Sequence, residues 1–230
     1  ETLYDVELGY NIYAHKWQMS FNAYYMYYKD QLILTGKIND VGESTRENIP
    51  NSFRTGMEWS ARYTPISILS LNANATLSKN QIKEFHEFID DYDRGKQIEN
   101  QYSKTDIAFS PNLIGYASVS IQPFVEKWDH QSLAFDLTTK YVSRQYLDNT
   151  SNKERSIDPY ALANINIRYN ISTSIFKEIG LNLALNNILN KKYSSNGYTF
   201  SYIYDNQLST ENYYFPQAGF NFLLGLQLKF

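Results

Sequence analysis

Large apolar side chains recur at every second position along much of the chain, most regularly from Phe220 to Phe230. Phe220, Phe222, Leu224, Leu226, Leu228 and Phe230 fall on one face of an extended segment, and Asn221, Leu223, Gly225, Gln227 and Lys229 on the other. A period of two belongs to a strand, not to the 3.6-residue repeat of a helix. Covering such side chains contributes roughly 1.5 to 3 kcal/mol each, so this face needs an apolar neighbour. The same alternation predicts nine strands: Leu3–Ala14, Trp17–Ile33, Ser52–Tyr63, Ile68–Leu77, Ile107–Ile121, Ser132–Tyr141, Ala161–Ile171, Ile179–Asn187 and the terminal Phe220–Phe230.

The connections alternate too. Short links follow the first, third, fifth and seventh strands, whereas long polar ones, Gly36–Asn51, Ser78–Asp106, Val142–Pro159 and Asn190–Gly219, follow the others. All the long connections therefore leave from one rim, the asymmetry of an outer-membrane β-barrel. The polar rows are rich in Asn, Ser and Thr, as in Ser70, Asn72, Asn74 and Thr76, which suits hydrogen bonding in an enclosed, wet interior. No Lys or Arg interrupts the apolar rows, where one near a bilayer midplane costs about 2 to 4 kcal/mol. Trp17 and Trp128 stand beside short links, and Tyr25, Tyr27, Tyr141 and Tyr169 near strand ends, where amphipathic rings settle at a membrane interface. The predicted fold is all-β, an antiparallel transmembrane β-barrel. Alternation has no sign, however, and a secreted β-sandwich binding module of adhesin or lectin type is the competing architecture.

Composition agrees with strands: 21 Tyr and 13 Phe bring aromatic residues to 16%. No apolar run reaches the roughly 18 residues of a spanning helix, and the mean hydropathy of −0.49 is compatible with strands whose alternate residues are polar. There is no Cys, hence no disulfide framework or thiolate metal site, and a net charge of −3 offers no nucleic-acid footprint. Nine strands are an odd number for a single-chain bacterial barrel. Glu1 is neither an initiator Met nor preceded by a signal segment, so the expectation is a fragment whose remaining strands lie upstream.

Little here points to catalysis. His15, His86 and His130 are far apart, which argues against a shared metal site. The segment FIDDYDRG places Asp90, Asp91 and Asp93 before Gly95 in a partial calcium-loop spacing, but Tyr102 stands where the bidentate Glu belongs, leaving a solvated acidic loop. No cofactor is expected, and paired carboxylates without an apolar pocket do not make a hydrolase.

Three segments carry a family resemblance. Leu181–Phe200 contains the run Asn187 to Tyr193 (NILNKKY), Tyr213–Phe230 closes on an aromatic residue, and Glu1–Tyr10 contains Glu7, Leu8 and Gly9, with YYKDQL following at Tyr27–Leu32. Together they resemble the C-terminal barrel portion of a TonB-dependent outer-membrane receptor. That resemblance implies about nine strands of a 22-stranded barrel occupying residues 1–230, with the plug domain and earlier strands outside the chain. It implies TonB-coupled uptake of a scarce ligand across the bacterial outer membrane, a ferric siderophore or other iron complex first, haem or cobalamin otherwise. No chemistry is done on the ligand. Partners would be outer-membrane lipid, the chain's own plug and missing strands, the TonB complex through the absent N-terminal part, and the small-molecule ligand, but no nucleic acid. Long-connection residues Tyr198, Phe200, Tyr202, Tyr204, Tyr213, Tyr214 and His86 become candidates for ligand contact. Inward-pointing Arg54, Glu58, Arg62, Asp136, Lys140 and Arg168 become candidates for facing the lumen or plug. Phe230 resembles the terminal aromatic residue by which barrel-assembly machinery recognises its clients.

Overall fold

A computed structural model describes residues 1–124 and 130–230, and every regular element in them is a strand. In chain order these are β1 (Thr2–Tyr13), β2 (Trp17–Ile38), β3 (Ser44–Ile66), β4 (Leu69–Asp91), β5 (Lys96–Asp106), β6 (Leu113–Ile121) and β7 (Gln131–Val142). There follow β8 (Gln145–Tyr146), β9 (Ser156–Ile157), β10 (Tyr160–Ile171), β11 (Glu178–Asn186), β12 (Ser194–Tyr204), β13 (Gln207–Pro216) and β14 (Asn221–Lys229). Nine of them form one continuous antiparallel sheet in the order β1-β2-β3-β4-β6-β7-β10-β11-β14, matching the nine expected from alternation.

Register brings the alternating rows into phase. Trp17, Tyr63, Leu71, Val119, Leu137, Ile165, Leu185 and Phe222 are successive neighbours across β2 to β14. The adjacent row, Gln18, Arg62, Asn72, Ser118, Thr138 and Asn164, is polar throughout. The apolar row begins at the short-link end of β2 and finishes at the opposite end of β14, so the strands are staggered as a tilted barrel wall requires.

The apolar face is bare. Leu224 is 71% exposed and Leu8 76%, and no second sheet covers them among the described residues. A β-sandwich buries this face, so that alternative is overturned. A contiguous uncovered band of this kind needs a lipid environment. At its short-link edge Trp17 stacks on Tyr63 with ring centroids 3.9 Å apart. Trp128 lies outside the described residues.

The expectation of long loops needs correction. Gly36–Asn51 is mostly strand, since β2 runs on to Ile38 and β3 starts at Ser44. Likewise β4 continues to Asp91 and returns as β5, while β12 and β13 form a hairpin inside Asn190–Gly219. The stretch from Ile107 to Asn112, expected to open a strand, instead crosses the top of the sheet, and Ile107 and Ala108 are buried there. Beyond the apolar band the buried face of a hairpin mixes apolar with charged residues, as Phe85, Glu87, Ile89 and Asp91 do along β4, so the period of two in polarity fades although the ladder continues.

Candidate functional site

The long connections pack together into a cap, and the apolar core of the described structure lies there. Ile33, Ile49, Ile82, Phe85 and Ile107 form one buried cluster against Tyr102. The connection from β7 to β10, carrying β8 and β9, packs against it. Leu147 is fully buried, Asn149 accepts from the Ala108 N–H at 2.8 Å and donates to the Leu34 carbonyl at 2.8 Å. A side chain at Gly36, where φ is +84°, would meet the Leu147 carbonyl oxygen at 2.3 Å, so glycine permits both the turn and the close approach.

A buried ionic triad ties the cap together. Arg155 Nη1 donates to Glu87 Oε1 at 2.5 Å and to Asp148 Oδ2 at 3.0 Å, with all three side chains under a tenth exposed. Burial acts against the guanidinium charge, but the two carboxylates outweigh it and raise its pKa. Tyr102 donates to Glu87 Oε2 at 2.8 Å, and burial followed by this bond pushes the phenol from 10.0 up to about 12.

The hairpin tips are latched. Tyr202 and Ile203 of β12 pair in parallel with Asp90 and Asp91 of β4. Asp93 accepts from the Asp205 N–H at 3.0 Å and the Asn206 N–H at 2.7 Å, while Asp91 Oδ1 accepts from Asp93 and Arg94 N–H groups, each at 3.1 Å. The acidic loop thus uses its carboxylates as acceptors for backbone amides. Among the described residues no cluster of His, Asp and Glu is placed to hold a metal.

Four of the candidate ligand residues share one face of the β12–β13 hairpin. Tyr198 stacks on Tyr213 at 4.9 Å and 10°, Phe200 lies 6.1 Å from Tyr213 at 8°, and Tyr202 lies 6.1 Å from Phe200. Phe215 extends this ladder, 6.1 Å from Tyr198. Within it Glu211 accepts from the Tyr202 hydroxyl at 2.9 Å and the Tyr213 hydroxyl at 2.5 Å. Those bonds, from Tyr213 first, hold the Glu211 carboxyl below its usual pKa. The ladder therefore presents ionised carboxylate beside half-exposed rings.

The remaining candidates separate. Tyr214 points to the opposite face of the hairpin and donates to the Ser156 carbonyl at 3.1 Å, which makes it a strut within the cap. Tyr204 is at the exposed hairpin tip. His86 sits on β4 with Nδ1 2.5 Å from Glu99, and Glu84 is 3.6 Å from its Nε2. The Glu99 bond above all raises its pKa.

Sequence reasoning missed Glu87, Asp148, Arg155, Tyr102 and Glu211. Only Glu211 had a visible signal, an acid inside an aromatic-rich alternating stretch. The inward candidates share the face opposite the apolar band: Asp136 and Arg168 form an ion pair at 2.7 Å, and Arg54 donates to Asn80 at 3.3 Å and Ser110 at 3.1 Å. Glu58 neighbours Asn22 and Thr76, Arg62 neighbours Gln18 and Asn72, and Lys140 neighbours Tyr116 and Leu162.

The run Asn187 to Tyr193 has a structural task. Asn187, with φ 49°, accepts from the Lys191 N–H at 2.9 Å and donates to the carbonyls of Lys191 at 2.9 Å and Ala218 at 3.0 Å. It thereby turns the chain from β11 into the cap and pins the approach to β14. The staggered antiparallel sheet agrees with comparison to known families. The profile of the family described as TonB dependent receptor-like, beta-barrel matches residues 1–188.

The chain belongs to this family.

Barrels of TonB-dependent receptors lie in the outer membrane of Gram-negative bacteria, so the bare apolar band is the lipid face and the polar face the lumen wall. Among solved structures, this receptor barrel is similar to the ferric yersiniabactin uptake receptor FyuA of Yersinia pestis, with 14% identity and a TM-score of 0.65 over 97% of this chain and 29% of that one. It is similar also to BauA, the ferric preacinetobactin receptor of Acinetobacter baumannii, with 15% identity and a TM-score of 0.66 over 98% and 29%. The ferric citrate transporter FecA gives 17% identity and a TM-score of 0.62 over 96% and 30%. At these identities the likeness is one of fold, and the chain spans under a third of each structure. A comparison with curated protein sequences gives no match.

Proposed function

We propose that this receptor barrel serves TonB-coupled uptake of a scarce ligand, a ferric siderophore or other iron complex, across the outer membrane. The observation that supports this reading is the aromatic ladder carrying Glu211, held by the latched cap above a polar lumen wall. Rigid rings give large contact area at small entropic cost, and a carboxylate fixed by two phenols costs little reorganisation on binding. FyuA, BauA and FecA are a ferric yersiniabactin receptor, a ferric preacinetobactin receptor and a ferric citrate transporter, which favours iron over haem or cobalamin. In this scheme the whole receptor also contains a plug and further strands of a 22-stranded barrel, and the TonB complex acts through the plug. Arg54, Glu58, Arg62, Asp136, Lys140 and Arg168 then line the plug's enclosure.

A strain lacking the receptor is expected to lose growth on one ferric complex as sole iron source and to recover it with the intact gene. Growth unchanged on every ferric, haem and cobalamin source removes the proposal. For the complex so identified, Tyr213→Ala is expected to weaken binding about tenfold or more, the scale of an anchoring aromatic residue, with the barrel still assembled.

Phe230 is assigned the assembly signal. Its ring lies 5.1 Å from that of Phe176. Deleting Phe230 is expected to lower the folded, heat-modifiable receptor in outer membranes several-fold, with unchanged affinity per folded molecule. Full assembly of the deletion would end that assignment.

A further inference from the structure

The lipid face changes character across β1 to β4 as it nears the cap. Its successive outward rows there are Leu8, Ala23, Met57 and Leu77, then Val6, Tyr25, Thr55 and Lys79, then Tyr4, Tyr27, Phe53 and Gln81. Ala23 and Thr55 are short among these neighbours, and the face is hollowed into a shallow, open groove of about 480 Å³ walled by Val6, Leu8, Met57 and Leu77. Lys79 stands at its cap-side end.

Two more lysines gather just beyond the groove. Lys83 Nζ lies 4.9 Å from the centroid of the Tyr27 ring and Lys29 Nζ 5.9 Å from that of Tyr4, and the two rings are 6.4 Å apart. An ammonium over an aromatic face is attracted by the ring quadrupole, so both cations are kept at one level of the wall. Lys29, Lys79 and Lys83 are exposed, and among the described residues no ion pair includes any of them. Acids near this level are mostly turned away or engaged. Asp5, Glu7 and Glu58 alternate onto the lumen face, Glu84 accepts from the Gln101 amide and lies 3.6 Å from His86 Nε2, and Glu1 accepts from the Leu32 N–H at 3.5 Å. That leaves Asp30 beside three ammonium groups.

We propose that this groove and its lysines form a docking surface for a lipid whose headgroup carries a net negative phosphate. One acyl chain lies along Leu8, Ala23, Met57 and Leu77, and the phosphate sits among Lys29, Lys79 and Lys83. Lysine stems cover apolar surface while their ammonium groups stay in the interface, and basic residues there attract anionic headgroups. A zwitterionic headgroup brings a cation of its own to the same place and loses that advantage. An apolar protein surface fits the groove but leaves the three charges without a partner, so charge complementarity favours the lipid.

The test exposes the full receptor chain in detergent to dioleoylphosphatidylglycerol or dioleoylphosphatidylcholine at equal concentration, with native mass spectrometry reading the lipid retained per barrel. Phosphatidylglycerol is expected to be retained in preference. Replacing Lys29→Gln and Lys83→Gln together is expected to cut that preference about fivefold for each lysine removed, the scale of one basic residue at an anionic surface. Lys96→Gln with Lys153→Gln, the same change of charge in the cap, should leave it unaltered. Ala23→Phe, which fills the groove, is expected to weaken phosphatidylglycerol about fourfold, the scale of one methylene withdrawn from an apolar seat. Heat-modifiable migration confirms that each variant barrel is folded. Excess sn-glycerol 3-phosphate should not displace the lipid, because a headgroup alone has no chain for the groove. Equal retention of the two lipids overturns the proposal, as do displacement by glycerol phosphate, unchanged retention in Ala23→Phe, an equal loss in the cap variant, or receptor dimers that exclude lipid from this face. The docking surface depends on the lipid face alone, so it stands or falls separately from the identity of the transported ligand.

Discussion

Replacing Arg155 with alanine is expected to loosen the cap by about 3 to 5 kcal/mol, because Glu87 and Asp148 would then be buried without a counter-charge. The side chains concerned are nearly sealed from water, so solvent screening relieves little of that penalty. The effect should be local: hydrogen exchange should quicken at amides of β5 and of the segment around Leu147, and slow exchange should persist in β7 and β10. A decisive control replaces all three charges, with Arg155→Met, Glu87→Leu and Asp148→Leu together. Removing every member of such a cluster is often neutral or stabilising, whereas removing one is not, so the triple variant should regain most of the lost protection. Unchanged exchange in the single variant would show that the triad does not hold the cap.

The second large effect belongs to the lipid face. Leu137 lies in the middle of β7, between Val119 and Ile165, and points outward. Leu137→Arg is expected to destabilise the barrel by about 2 to 4 kcal/mol if this position is at the midplane, seen as a lower denaturant midpoint of the full receptor in bilayers. The neighbouring Thr138 faces the lumen row with Ser118 and Asn164, and Thr138→Arg should cost far less. Equal costs at the two adjacent positions would contradict the assignment of lipid and lumen faces.

How much of this was visible in the sequence depends on what each segment touches. In the nine sheet strands one face meets lipid and the other a wet enclosure, so polarity alternates and Leu133 to Tyr141 or Ile179 to Leu185 could be placed nearly to the residue. In the cap that contrast vanishes. Arg46, Glu47 and Asn48 belong to a regular ladder with β2, yet no apolar row marks them as strand. The ladder of Tyr198, Phe200, Tyr202 and Tyr213 was legible as a group because its members alternate within one hairpin. Tyr214 was not distinguishable, since the covering of its face by Ser156 comes from another connection. Arg155 and Glu87 stand 68 positions apart, and nothing local to either residue announces the other.

The bond from Asp93 to the Asp205 amide spans 112 positions in the chain, and this separation sets an order of events. Closing so long a loop from an unstructured chain is entropically unfavourable, whereas β3, β4, β6, β7, β10 and β11 join mostly through nearer neighbours. Once those strands stand side by side, the two hairpin tips are already held at one rim and the remaining search is short. The latch between the hairpin tips is thus a late-forming contact that depends on the wall beneath it, and it can release by local opening without unzipping that wall.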